Sequence, residues 1–259
     1  MNLVQANGIA LHVEEVPPAG PQTGTAVLIH GMAGDNMASW YLTLAHPLAG
    51  AGMRVLLYDL RGHGRSDRPA RGYALDDFVG DLSSLVDGWA VDGPVHLFGN
   101  SFGGTVAFGY AARYPDRVAG IVAIDSAAPT PAWFARMARR LRQAATFQGA
   151  TFQGAGGRRL RDIRALLADT SIHDELPASP LPDPSAFAAV TCPVLCLYGG
   201  NSQVQQLAAQ TEHLLPQTRS VVLDGAKHNL LVDRTGQVAE HVLPWLRETQ
   251  MCRERKAHG

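Results

Sequence analysis

Gly99-Asn100-Ser101-Phe102-Gly103-Gly104 decides how this chain is read. The stretch follows an apolar run, Val95-His96-Leu97-Phe98, and precedes a helix-like run from Thr105 to Tyr114. A strand, Gly-x-Ser-x-Gly and a helix in that order form a sharp turn that presents a serine hydroxyl. The turn strains the serine backbone. Side chains two residues to either side would collide, so Gly99 and Gly103 carry none. The helix that opens there aims the Phe102 backbone N–H at developing negative charge. Ser101 is the candidate nucleophile and Phe102 a candidate oxyanion donor. Alone, the pattern reads equally as a Gly-rich strand-to-helix turn, so its weight comes from the rest of the chain.

Two further segments supply that weight. The buried-strand run Thr25 to Ile29 ends in His30-Gly31-Met32-Ala33-Gly34, a loop whose Met32 backbone N–H is the candidate second oxyanion donor. Near the end, Ser220-Val221-Val222-Leu223 reads as a strand and is followed by Asp224-Gly225-Ala226-Lys227-His228-Asn229. A histidine there can fold back over the serine, take its proton and return it to a leaving group, so His228 is the candidate base. His12, His46, His96, His213 and His241 fall inside strand- or helix-like runs. His63, in a turn between two glycines, is the rival base.

With these residues in view the chain resembles the α/β-hydrolase family over about residues 1–247. The resemblance rests on four features in order: His30-Gly31, the Asp59-Leu60-Arg61-Gly62-His63-Gly64-Arg65-Ser66 loop, the Gly99–Gly103 turn, and Gly225-Ala226-Lys227-His228. It implies a mostly parallel eight-stranded sheet with helices on both faces, and a helical cap inserted after the sixth strand. The apolar runs, separated by helix-length segments, independently argue for βαβ units. They predict strands at Leu3–Gln5, Ala10–Glu15, Ala26–His30, Arg54–Asp59, Val95–Gly99, Val118–Asp125, Val194–Gly199 and Arg219–Leu223. Helices fit Ala38–Gly50, Leu75–Trp89, Thr105–Tyr114, Val204–Leu215 and Thr235–Arg247. The expected organisation is one discontinuous core, residues 1–126 and 191–250, with a cap at 127–190 and a frayed polar tail at 251–259.

The third member of a Ser–His–carboxylate set is harder to place. The resemblance implies an acid shortly after strand seven, where this chain reads Gly199-Gly200-Asn201-Ser202-Gln203. No Asp or Glu occurs between Asp183 and Glu212. Some relatives carry the acid at the end of strand six instead, and Asp125 occupies that position. A carboxylate there projects from the edge where α/β sheets build sites. Asp125 beside Ser126 equally fits a turn cap. Asn201 or Ser202 could orient the histidine as a neutral partner.

Residues 131–164 hold eight arginines and one acid, Asp162, a net of +7 in a chain whose formal charge is −1. Within them Ala145-Thr146-Phe147-Gln148-Gly149 repeats as residues 150–154, a short duplication that reads as a hinge between two basic helices. Arg136, Arg139 and Arg140 share a helix face. That face is either a solvated basic surface or a rim that attracts acidic substrates, such as an acyl-CoA or the phosphate arm of an acyl carrier protein.

Other chemistry has little support. Cys192 and Cys196 flank or occupy one strand, four residues apart and too far to bridge, and with Cys252 they point to a reducing compartment. No basic-then-apolar leader and no membrane-length apolar run is read, so the expected location is cytoplasmic. No metal-ligand spacing or phosphate loop is present and no cofactor is expected. The near-neutral charge argues against nucleic acid.

Three functions follow. The first is a serine hydrolase of carboxylic esters or thioesters acting on a small acyl substrate through an acyl-enzyme. The second is a carbon–carbon bond hydrolase of ring-fission diketones, which the Gly-Asn-Ser-x-Gly-Gly spelling resembles, although the His30 loop lacks that group's Gly-Pro-Gly. The third is a weakened or non-catalytic binding member of the same fold.

Overall fold

The computed structural model describes residues 2–146 and 155–257. Eight strands form one sheet: β1 (Leu3–Ala6), β2 (Ile9–Val16), β3 (Gly24–Ile29), β4 (Met53–Tyr58), β5 (Val95–Asn100), β6 (Val118–Ile124), β7 (Val194–Gly199) and β8 (Thr218–Leu223). Their spatial order is β1-β2-β4-β3-β5-β6-β7-β8. β1 and β2 pair antiparallel across the Asn7-Gly8 turn, and β2 pairs antiparallel with β4. Every pairing from β4 to β8 is parallel. The sheet expected from the sequence is the one found.

The parallel strands are apolar on both faces because both faces are covered. Val27, Ile29, Leu97, Ile121 and Ala123 join one core. Their neighbours Ala26, Leu28, Phe98, Val122 and Ile124 join the other, on the opposite side. Successive side chains of a strand point to opposite faces, so an unbroken apolar run serves two cores at once.

The helices are α1 (Ala38–Trp40), α2 (His46–Gly50), α3 (Leu75–Gly88), α4 (Phe102–Arg113), α5 (Pro131–Thr146), α6 (Ala155–Asp169), α7 (Ile172–Glu175), α8 (Ala208–Leu214), α9 (Leu230–Asp233) and α10 (Thr235–Ala257). The single helix expected over Ala38–Gly50 is interrupted by a wider π turn at Tyr41–Ala45. The one expected over Val204–Leu215 opens as a tighter 3-10 turn, Gln203–Leu207. α10 continues ten residues beyond Arg247, through residues 251–257 that the sequence reading assigned to a tail.

Two boundary differences have a clear physical origin. α4 begins at Phe102, three residues before the expected Thr105, so Gly103 and Gly104 are helical despite glycine's poor propensity. Packing overrides propensity here. A Cβ on Gly103 would lie 2.1 Å from the Ile29 carbonyl oxygen, and one on Gly104 would lie 2.5 Å from Ser126 Oγ. β6 stops at Ile124 because Asp125 turns out of the sheet with φ +45°.

Between β6 and β7 lie α5, α6, α7 and a 3-10 turn, Pro184–Ala189. The repeat at residues 145–154 lies largely outside the described residues, but helices do flank it. α5 is amphipathic. Trp133, Phe134, Met137, Ala138 and Leu141 are buried, and the Trp133 indole N–H donates to Thr105 Oγ1 of α4 at 2.6 Å. The far end of the segment is fixed by Glu175, whose carboxylate accepts the backbone N–H groups of Gly72 (2.8 Å) and Tyr73 (2.7 Å). Among the described residues no helix is long and apolar enough to cross a membrane.

Candidate active site

Four strand ends meet at the carboxyl edge of the sheet, where the order around β3 reverses and α/β sheets leave a crevice. The loop after β3 carries Met32, the turn after β5 carries Ser101, Asp125 directly follows β6, and the loop after β8 carries His228.

Ser101 sits at φ 52°, ψ −119°, a conformation that L residues rarely adopt. Such strain costs about 1–3 kcal/mol and persists only where neighbours enforce it. Here they do. The Ser101 N–H donates to the Ile124 carbonyl at 2.8 Å, and its carbonyl accepts the Gly104 N–H at 3.0 Å. Gly99 is needed because a Cβ there would lie 2.2 Å from the Gly104 nitrogen. Gly103 is needed for a different reason from the one expected: its missing side chain makes room for the backbone of β3 rather than for the far side of the turn.

The Ser101 hydroxyl lies 3.0 Å from His228 Nε2. On the other side of the ring, His228 Nδ1 lies 2.5 Å from Asp125 Oδ2. A carboxylate only accepts, so Nδ1 carries the ring proton and Nε2 is left to receive the hydrogen of Ser101. Asp125 is fully buried, whereas the His228 side chain is 37% exposed. The carboxylate has further donors: the Gly199 N–H to Oδ1 at 3.0 Å and the Ser202 hydroxyl to Oδ2 at 2.5 Å. The Asp125 N–H itself donates to the Leu197 carbonyl at 2.7 Å.

The structure thus brings Ser101, His228 and Asp125 into one hydrogen-bonded chain. It leaves Asn201 and Ser202 off the histidine ring. The Asn201 side-chain amide donates to the Gly225 carbonyl, at 3.4 Å, and Ser202 touches the carboxylate instead. Gly199 allows the His228 loop to close over the sheet edge, since a Cβ there would meet the Ala226 carbonyl at 2.6 Å.

His63 does not face the serine. Its Nδ1 donates to the Arg61 carbonyl at 2.8 Å, and its Nε2 accepts the Ala33 N–H at 3.1 Å. Burial and the neighbouring His30 ring press its pKa down to about 4. It is a neutral strut beneath the Met32 loop. Asp35, which the sequence reading passed over, is a second one: its Oδ2 accepts the Gly31 N–H at 2.9 Å and the Asn100 side-chain amide at 3.3 Å. With Gly31 and Ala33 tied down, the intervening Met32 N–H has no protein acceptor among the described residues, and neither does the Phe102 N–H. Both residues border a cavity of about 200 Å³ that also exposes Ser101 and His228, roofed by Trp133, Met137, Arg140 and Leu141 of α5. Asp35 could have been suspected from its place four residues after Gly31, within reach of a loop with few other side chains.

A model of the alpha/beta hydrolase fold family matches residues 26–176. Epoxide hydrolase B of Mycobacterium tuberculosis is 34% identical over 125 residues, which are 48% of this chain and 34% of that protein. Lipase LipV of the same organism is 40% identical over 119 residues, 46% of this chain and 42% of that protein. These matches span well under half the length of either curated relative. A carboxylesterase structure from Nitrososphaera gargenis has a TM-score of 0.74 at 22% identity, covering 96% of this chain and 99% of that chain. At that identity the likeness is one of fold. The family match takes in more than half of the chain and runs from β3 through the serine turn into α7, and this chain belongs to the α/β hydrolase fold family.

Proposed function

We propose that the protein is a serine hydrolase that cleaves a carboxylic ester or thioester through an acyl-enzyme. The observation that carries this reading is the continuous contact from Ser101 Oγ to His228 Nε2 at 3.0 Å and from His228 Nδ1 to Asp125 Oδ2 at 2.5 Å.

In the first half-reaction Ser101 Oγ attacks the acyl carbon while its proton passes to His228 Nε2. The carbonyl oxygen, now negative, receives the N–H groups of Met32 and Phe102. Asp125 holds the ring in the reactive tautomer and balances the imidazolium charge. The bond to the alcohol or thiol then breaks, and that group leaves with the proton from His228. In the second half-reaction water attacks the acyl-enzyme, His228 takes its proton and passes it to Ser101, and the carboxylic acid is released. The segment between β6 and β7 acts as the cap. Trp133, Met137 and Leu141 supply an apolar roof that limits the water around the developing charge. A cavity of about 200 Å³ favours a short acyl group over a lipid chain.

The test is turnover of p-nitrophenyl esters of graded acyl length, with rapid mixing to detect a burst of p-nitrophenolate. A burst equal to the enzyme concentration on the short esters supports the acyl-enzyme. Turnover of no ester by a folded protein would sink the reading.

A further inference from the structure

The stripe of α5 that roofs the cavity contains one residue out of character. Trp133, Met137, Arg140 and Leu141 fall at i, i+4, i+7 and i+8, the spacing of a single helix face. Three of them are apolar and buried. The fourth is a half-buried arginine, and it borders the same space as Ser101 and His228. Among the described residues Arg140 has neither a carboxylate partner nor a hydrogen-bond acceptor, and the ion pairs found involve other cations. A guanidinium that borders the cavity without a counter-ion of its own is free to pair with an anionic group that enters it.

A neighbouring group reinforces the field. Arg136, one turn earlier, donates from Nη2 to Gln203 Oε1, while its buried Nε has no acceptor. Burial and the repulsion of Arg140 and Arg139 lower its pKa from the ordinary arginine value. Asp125 offsets part of this repulsion, and of these three cations Arg140 is the one that borders the cavity, where its charge favours an anion.

We infer that Arg140 is a substrate-recognition residue that pairs with a carboxylate on the ester, so that the preferred substrates are short monoesters of dicarboxylic acids. This rests on the Ser101 hydrolase reading and adds the substrate class. A guanidinium presents a planar fork that matches a carboxylate bidentately, which fixes the position of the bound acid as well as neutralising it. A cavity of about 200 Å³ is smaller than the usual ligand site, which suits a short diacid.

The experiment compares monoethyl succinate with ethyl 4-methylpentanoate, in which an uncharged isopropyl group replaces the carboxylate. Hydrolysis is followed by acid release in wild type, Arg140→Gln and Arg140→Lys. The wild type is expected to favour the succinate monoester, and the ratio of the two kcat/KM values to fall roughly 10- to 100-fold in Arg140→Gln. Arg140→Lys recovers part of the ratio, because it keeps the charge and loses the fork. Raising salt lowers the wild-type ratio through KM. In parallel, monoethyl succinate is titrated calorimetrically into Ser101→Ala with and without Arg140→Gln. Arg140-dependent binding there, with no hydrolysis by wild type, keeps the anion site and refutes the Ser101 chemistry. Ester turnover with a ratio that Arg140→Gln does not change overturns the Arg140 inference alone.

Discussion

Ser202 donates its hydroxyl to the same Asp125 oxygen that His228 Nδ1 contacts, and both distances are 2.5 Å. It stands three residues beyond Gly199, in the strand-seven loop where the family resemblance would place the acid. A neutral residue of the loop after β7 therefore braces a carboxylate that directly follows β6. Ser202 is buried and its oxygen also accepts the Val204 N–H at 3.2 Å, so the brace is built into the start of the following helical turn.

This contact sets the cost of removing it. Ser202→Ala takes one donor from a buried carboxylate, a loss of about 1–3 kcal/mol. Part of it should appear as lower stability and part as a kcat roughly ten-fold lower on a short ester. Asn201→Ala, which gives up only a long bond to the Gly225 carbonyl, should change kcat little. Equal effects of the two substitutions would contradict the geometry.

Asp125→Asn should keep the fold and lower kcat by about two to four orders of magnitude, because the ring loses its tautomer control and its counter-charge. The backbone at Asp125 has φ +45°, a region that asparagine enters more readily than other non-glycine residues, so the replacement adds little strain. Circular dichroism and thermal unfolding verify the fold, and steady-state kinetics read the loss. A variant as active as wild type would remove Asp125 from the mechanism.

His63 gives a pH prediction that does not involve catalysis. Its pKa in the folded chain is about 4, against an ordinary 6.5. Above pH 6.5 both folded and unfolded chains carry it neutral, and it contributes no pH dependence. As pH falls towards 4 the unfolded chain binds a proton that the folded chain excludes, so stability decreases by about 3 kcal/mol across that window. His63→Gln, which can still accept the Ala33 N–H, should flatten this acid-side decline in denaturant unfolding between pH 7 and 4. Parallel curves for the two proteins would show that His63 is not the group responsible.

The sheet is legible in the sequence because its parallel strands are apolar on both faces and each is closed by a glycine, a proline or a polar residue. Ser101 is legible because a strained turn demands glycine around it, and His228 because of its place after the last strand. Asp125 is visible only by position, since one carboxylate at a strand end is also a turn residue. The supports are not legible. His63 reads as a rival base until its two ring nitrogens are seen to serve the Arg61 carbonyl and the Ala33 N–H. Ser202 acts through a long-range contact that no local pattern encodes, and Asp35 is hinted at only by its spacing from Gly31. The early start of α4 is hidden for the same reason: the closeness of Ile29 to Gly103, not helix propensity, decides it.

Covalent labelling tests whether Ser101 is a nucleophile activated by His228. The folded protein is treated with a fluorophosphonate, digested, and the modified peptide identified by mass spectrometry. Stoichiometric modification is expected on Ser101, none in Ser101→Ala, and labelling slowed by about four to six orders of magnitude in His228→Ala. An unlabelled wild-type protein, or a label on another residue that survives Ser101→Ala, would contradict that role for Ser101.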